Sequence, residues 1–159
     1  MGGIMIRNRI ITDLIKIVEE TNINNLISAK ELKRPEDQYT DEFIEEIKYL
    51  GLIGIIEVNE FMGESFPYIM LIGDGHINYI DFIDNYDEFY EIVIDYIKNH
   101  EDSMINALDI SKEFNIPFVF VGTVFKDLER DNLIKLQRAL GGLYISKITE
   151  RGADFFNND

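Results

Sequence analysis

Apolar residues recur every three or four positions along several segments of the chain, and this spacing predicts amphipathic helices. In the first half of the chain, the predicted helices cover residues 6–20, 29–33 and 41–50. In the second half, they cover residues 86–99, 105–114 and 118–130. Strand-like segments follow the last helix of each half, at residues 52–58 and 68–72, then at 133–137 and 143–148. We therefore expect a mainly α fold with small antiparallel β-hairpins, an α+β class.

Capping residues and glycines define the predicted ends of these elements. Ser28 followed by Glu31 is a capping-box pattern at the start of the short helix, and Thr40 is in position to cap the next one. Gly51 is predicted to end that helix, because glycine adopts the left-handed terminal conformation without a steric penalty. Gly141-Gly142 is predicted to form the tip of the second hairpin.

The two halves also share short blocks of sequence in the same order, which indicates an internal repeat. The matching blocks are Ala29–Leu32 with Ser111–Phe114, Leu52-Ile53 with Leu133-Ile134, and Leu71–Gly75 with Ile148–Gly152. The alternative is a coincidence between two Ile-rich helical segments. We predict two tandem units, residues 1–82 and residues 83–159.

The order helix, helix, turn, helix, hairpin resembles the winged-helix family, and residues 105–156 resemble it best. The similarity is carried by Ile110–Pro117, Leu128–Ile134 and Ile148–Gly152, which look like segments of many small bacterial and archaeal winged-helix regulators. The first half resembles the family less closely. The resemblance implies tandem winged-helix units, but it does not choose a function, because winged helices both read DNA and dock proteins.

Charge limits the classes of partner. The chain carries 15 Lys+Arg and 30 Asp+Glu, a net charge of −15, which repels phosphate backbones and anionic membranes. Residues 111–151 are the exception, with 7 basic and 5 acidic residues. There is no cysteine, no signal-peptide pattern and no apolar run of membrane-spanning length. We expect a cytoplasmic protein without a membrane partner.

The leading hypothesis is a non-catalytic adaptor or regulator that binds a protein with a basic face. Asp41, Glu42 and Glu45 lie at outward positions of the third helix of the first unit, where carboxylates would repel DNA. Phe118 and Phe120 begin the third helix of the second unit and cannot both join one core stripe together with their apolar neighbours. We expect these residues to form a partner surface, although packing of the aromatic residues against the first unit is an equal alternative.

The second hypothesis is a DNA-binding transcriptional regulator that uses the second unit. Thr123, Lys126 and Arg130 would enter a groove, and Arg138 would contact DNA from the hairpin. Such a protein would need a homodimer to gather enough positive charge. An acidic mimic of DNA shares the chemistry of the leading hypothesis and is not separated from it.

The sequence gives little support to an enzyme. His76 and His100 are far apart and lack the spacing of a zinc site, and we predict no metal or cofactor. Gly73–His76 is interpreted as a structural turn. The acidic residues of the segment 81–88 lack the ligand pattern of a calcium-binding loop.

Overall fold

The computed structural model describes residues 2–35, 37, 40–73, 75–101, 103–140 and 142–158. The chain divides into two compact units, Met1–Gly73 and Asp74–Asp159. Each unit combines helices with a three-stranded antiparallel sheet. This architecture confirms the predicted α+β class.

Unit 1 is built on a long helix whose apolar stripe packs against a shorter one. Its elements are α1 (Gly2–Thr21), β1 (Ile27–Ser28), a 3-10 helix (Ala29–Leu32), α2 (Thr40–Leu52), β2 (Ile56–Asn59) and β3 (Tyr68–Leu71). The strand order is β1-β3-β2, which leaves β2 at an edge. Apolar side chains at helical spacing, including Ile10, Leu14, Phe43 and Ile47, are buried between α1 and α2 and form the core with Ile69 of β3.

Unit 2 has the same sheet topology and more helix. Its elements are a 3-10 helix (Ile77–Phe82), α3 (Tyr86–Asn99), β4 (Ile105–Asn106), α4 (Ala107–Phe114), α5 (Phe118–Arg130), β5 (Ile134–Ala139), β6 (Gly142–Ile148) and α6 (Glu150–Asn157). The strand order is β4-β6-β5, so β5 lies at an edge as β2 does in unit 1. Among the helices of the unit, α5 packs most extensively against α3 and α4.

Several predicted boundaries are confirmed and several are wrong. The predicted helices 86–99 and 118–130 match α3 and α5, and both hairpins are present. Gly51 does not end α2; the helix continues to Leu52, and Gly54 takes the left-handed conformation with φ of 78°. The first two residues of the predicted helix 105–114 form β4 instead. Gly141 lies outside the described residues.

The sequence patterns do not predict helix α6, which follows the second hairpin. The Thr149 side chain accepts a hydrogen bond from the Gly152 amide and caps the helix. Phe156 then lies buried one turn later, and α6 packs against α3.

From the short strand to the start of the hairpin, the two units share one order of elements at a spacing of 78 residues, and this spacing corrects the predicted repeat alignment. Asn106 lies 78 residues after Ser28, and each side chain caps the following helix by accepting from the amide two residues on. Asn132 lies 78 residues after Gly54, and both adopt a positive φ after a helix of 13 residues. The predicted alignment of Leu52 with Leu133 is therefore wrong by one helical turn; Leu133 corresponds to Ile55.

The unit boundary also differs from the predicted one, which lay between residues 82 and 83. Residues 75–82 group with unit 2 because their 3-10 helix packs against α5. We call Gly75–Phe82 the cover segment.

Candidate interaction surfaces

Helix α5 holds the position that a winged-helix resemblance assigns to the DNA-reading helix, and it is enclosed. Nine of its 13 residues are buried, on every side of the helix. Its neighbours within unit 2 are α3, α4, β5 and the cover segment. The sequence carried a signal for this enclosure, since a helix that is apolar all round is a buried helix.

The cover segment approaches the backbone of α5 closely. Gly75 has φ of +86°, and a Cβ atom there would lie 2.3 Å from the Thr123 amide nitrogen and 2.4 Å from the Val119 oxygen. The next residue, His76, donates its amide hydrogen to Thr123 Oγ1 at 3.2 Å. Tyr79 is fully buried, and burial raises the pKa of its phenol to about 12. The segment therefore closes the side of α5 that Val119 and Thr123 present.

Two predicted contact residues are buried, which corrects the predictions made for them. Thr123 has no exposed surface, and its hydroxyl donates to the Val119 carbonyl at 2.8 Å. Phe120 is also fully buried and stacks on Phe89 with ring centroids 5.9 Å apart. Thr123 cannot reach a DNA groove and Phe120 cannot reach a partner, whereas Phe118 is half-buried.

The exposed end of α5 carries acids as well as bases. Arg130 forms an ion pair with Asp127, and Asp127 also accepts a hydrogen bond of 2.5 Å from the Tyr86 hydroxyl. Burial and that bond to Asp127 raise the pKa of Tyr86. Glu129 accepts from the Leu136 amide at 3.0 Å. The positive charge of Arg130 is thus largely balanced locally.

A shallow depression of about 310 Å³ lies beside this end of the helix. It is lined by His76, Ile77, Lys126, Glu129 and Arg130. Burial, followed by the nearby charge of Lys126, lowers the pKa of His76. The ring nitrogen Nδ1 of His76 accepts from the Asn78 amide at 3.0 Å, so this histidine caps the 3-10 helix.

Helix α2 has 13 residues, as α5 does, and it also precedes the hairpin of its unit; one of its faces is open. Asp41, Glu42 and Glu45 are exposed on it, where the sequence placed them. Further along the same face, Tyr49 is 42% exposed and Leu52 is 86% exposed. We call these five residues the acidic–apolar face.

The carboxylate of Glu46, which neighbours the acidic–apolar face, is already paired with a cation. Arg7 of α1 donates from Nε to Glu46 Oε2 at 2.7 Å. The Arg7 guanidinium also lies 4.2 Å from the centroid of the Tyr49 ring, a cation–π contact. Arg7 therefore neutralises Glu46 and fixes one side of Tyr49.

The acidic–apolar face continues into a groove of about 660 Å³ between α2 and β2. Lys48, Gly51, Leu52 and residues 56–59 line it. The groove is narrow at Gly51, because a Cβ atom there would lie 2.7 Å from Val58 Cγ2. Apolar surface and an exposed strand edge thus lie beside the carboxylates of α2.

The hairpins carry the remaining charged surfaces. Lys135, Arg138, Lys147 and Arg151 are exposed in and beside the β5–β6 hairpin, and Arg138 is the residue that the DNA hypothesis assigns to this hairpin. Leu140 at its tip is fully exposed. In unit 1, Phe61 and Met62 lie in the β2–β3 connection and are 50% and 103% exposed.

Within the described part of the chain, no group of His, Cys, Asp and Glu side chains could hold a metal ion. None of the described helices is long and apolar enough to span a bilayer. Comparison with protein-family models, with curated proteins and with solved structures found no match.

Proposed function

We propose that the protein is a non-catalytic adaptor or regulator composed of two winged-helix units, and that unit 1 docks a basic, partly apolar segment of a protein partner. The docking site is the acidic–apolar face of α2. The observation that carries this proposal is the contrast between α2, whose outer face is open, and α5, which is enclosed.

The order of elements supports the winged-helix assignment. Each unit runs helix, short strand, helix, helix and hairpin, and the short strand pairs with the last strand of the hairpin. Apart from the short strand, this is the order of helices followed by a hairpin that the resemblance in the sequence implies for each unit. We infer from it that α2 and α5 are equivalent helices.

The chemistry of the acidic–apolar face favours a basic partner with an apolar anchor. Burial of the exposed Leu52 side chain would contribute about 1.5–3 kcal/mol. The carboxylates of Asp41, Glu42 and Glu45 would chiefly accelerate association and set specificity, since exposed charge pairs add little affinity. We therefore expect micromolar, salt-sensitive binding that depends on both the acids and Leu52.

The DNA-binding regulator is the weaker proposal. It loses Thr123 to the core, and Arg130 is held by Asp127, so Lys126 and the basic residues of the hairpin would have to supply the phosphate contacts. Backbone contacts of this kind give non-specific binding that weakens steeply with salt. Fluorescence anisotropy with a labelled duplex at low and moderate salt tests it directly.

The docking proposal is tested with a fluorescein-labelled amphipathic helical peptide made of Lys and Leu, titrated with the full chain. Glu42→Lys with Glu45→Lys, and separately Leu52→Ser, should each raise the dissociation constant at least about tenfold, which corresponds to about 1.4 kcal/mol. The matched controls are Glu20→Lys with Glu31→Lys, two exposed acids of unit 1 away from α2, and Leu140→Ser in unit 2. Equal losses in variants and controls would mean that bulk charge binds the peptide and would contradict the proposal.

A further inference from the structure

The two equivalent hairpins carry opposite charge. The β2–β3 hairpin, residues 56–71, contains Glu57, Glu60 and Glu64 and no Lys or Arg. The β5–β6 hairpin, residues 134–148, contains Lys135, Arg138 and Lys147 and no Asp or Glu. We call them the acidic hairpin and the basic hairpin.

The reversal occurs at corresponding positions. Lys135 lies 78 residues after Glu57, and Arg138 lies 78 residues after Glu60, which is the spacing that relates the caps and helix ends of the two units. Both positions lie on or next to an edge strand, β2 in one unit and β5 in the other. The two edges therefore present side chains of opposite sign at the same places.

The basic hairpin is built so that an anion would stabilise it. Lys135 and Lys147 are directly opposite each other in the β5–β6 register, and both are exposed. Like charges in that arrangement repel. No carboxylate of the described residues forms an ion pair with either lysine.

The acidic hairpin offers the complementary groups. Glu57 and Glu64 are exposed without an ion pair among the described residues, and Glu60 meets Lys48 at 3.3 Å in a pair that is mostly exposed on both sides. Each hairpin also has an exposed apolar tip, Met62 in one and Leu140 in the other. Contact between such hairpins would bury apolar surface as well as pair charges.

We propose that the acidic hairpin of one copy of the chain binds the basic hairpin of a second copy, so that the protein associates head to tail. The contact is heterologous, so it either closes when two copies exchange both hairpins or continues into a longer assembly. It uses none of the five residues of the acidic–apolar face of α2, although Glu57 of the acidic hairpin also lines the groove beside that face.

The proposed contact is weak and strongly dependent on salt. Each copy would contribute one short hairpin, residues 56–71 or residues 134–148, which is fewer than the roughly 20–30 residues a side of a stable interface. Exposed ion pairs are screened over about 8 Å at physiological ionic strength. Association should therefore increase with protein concentration and fall at high salt.

The test is sedimentation velocity over a concentration series at low and high salt, with two charge-reversed variants. Glu57→Lys with Glu64→Lys leaves both hairpins basic, and Lys135→Glu with Lys147→Glu leaves both acidic. Each variant alone should be monomeric, an equimolar mixture of the two should associate, and the quadruple variant should recover self-association. That pattern cannot come from misfolding, because recovery requires intact hairpins.

Three results would overturn the proposal. The first is a wild-type chain that stays monomeric at every concentration and at low salt. The second is self-association that neither pair of substitutions weakens. The third is a monomeric wild type that binds labelled duplex DNA and loses this binding on Lys135→Glu with Lys147→Glu, which would assign the basic hairpin to nucleic acid.

Discussion

Replacement of Gly75 by Ala tests whether the cover segment packs tightly on α5. The backbone at Gly75 has φ of +86°, and the added Cβ atom would lie 2.3 Å from Thr123 N, 2.4 Å from Val119 O and 2.6 Å from Gly122 C. All three are backbone atoms of α5, so none can move aside alone. The segment or the helix must shift.

Two terms contribute to the expected loss of stability. A left-handed backbone costs a non-glycine residue about 1–2 kcal/mol. Overpacking against a rigid neighbour adds about 1–3 kcal/mol. We expect Gly75→Ala to lower the free energy of unfolding of unit 2 by about 2–5 kcal/mol.

Gly63→Ala separates the two terms. Gly63 has a similar φ of +85°, but nothing lies within 4 Å of its Cβ position. Only the backbone term applies there, so its loss should be about 1–2 kcal/mol.

Urea unfolding followed by circular dichroism measures both losses, and hydrogen exchange with mass spectrometry locates them. In Gly75→Ala, the amides of α5 and of residues 75–82 should lose protection while α1 keeps it. If Gly75→Ala costs no more than Gly63→Ala, the close approach of the cover segment is absent, and the explanation for the burial of Thr123 fails with it.

Two further predictions concern titratable groups. Arg9 donates to both carboxylate oxygens of the buried Asp37, and these bonds hold the Asp37 pKa below its ordinary value. That stability is present above the unfolded pKa and lost as pH falls through the lowered one, so Asp37→Asn should cost unit 1 about 3 kcal/mol at neutral pH and flatten its acid unfolding curve. Tyr79 affects stability at alkaline pH instead. Its phenol has a pKa of about 12 in the folded chain and an ordinary value of 10.0 in the unfolded chain, so between these values only the unfolded phenol is ionised. Stability should fall by about 2–3 kcal/mol between those two values, and Tyr79→Phe should remove this loss together with one late step in the absorbance titration at 295 nm.

Much of the local structure was accessible from sequence because it follows from periodicity. The ends of α3 and α5 are predicted correctly, because the apolar stripe of α3 stops before Asn99 and that of α5 stops before Asp131. The short strands β1 and β4 were not predicted. Two residues cannot show an alternating pattern, and these strands exist only because they pair with the hairpins.

The repeat alignment failed for a physical reason. A shift of three or four residues along a helix returns the apolar stripe to the same face, so periodicity cannot fix the register. The residues with positive φ fix it, Gly54 in one unit and Asn132 in the other. Because one residue is glycine and the other is asparagine, the sequence alone does not show that the two positions correspond.

Some of the predicted site residues lie where the sequence placed them and others do not. Asp41, Glu42 and Glu45 are exposed because charged residues opposite an apolar stripe face solvent. Thr123 looked suited to DNA because it is polar, but its hydroxyl is satisfied inside the core by Val119 and His76. Burial of such a residue depends on a segment almost fifty positions away, which no local pattern reports.

The cover segment has a mechanical consequence. A force applied to the chain at residue 73 reaches Gly75 before it reaches α3, because Gly75 comes first in the chain. A pull at that point would load the contacts with α5 one after another, beginning with Gly75 and His76 and reaching Tyr79 later. Sequential loading separates a segment at low force. A force applied at residue 73 would therefore act first on the contacts of Gly75 and His76 that cover Val119 and Thr123.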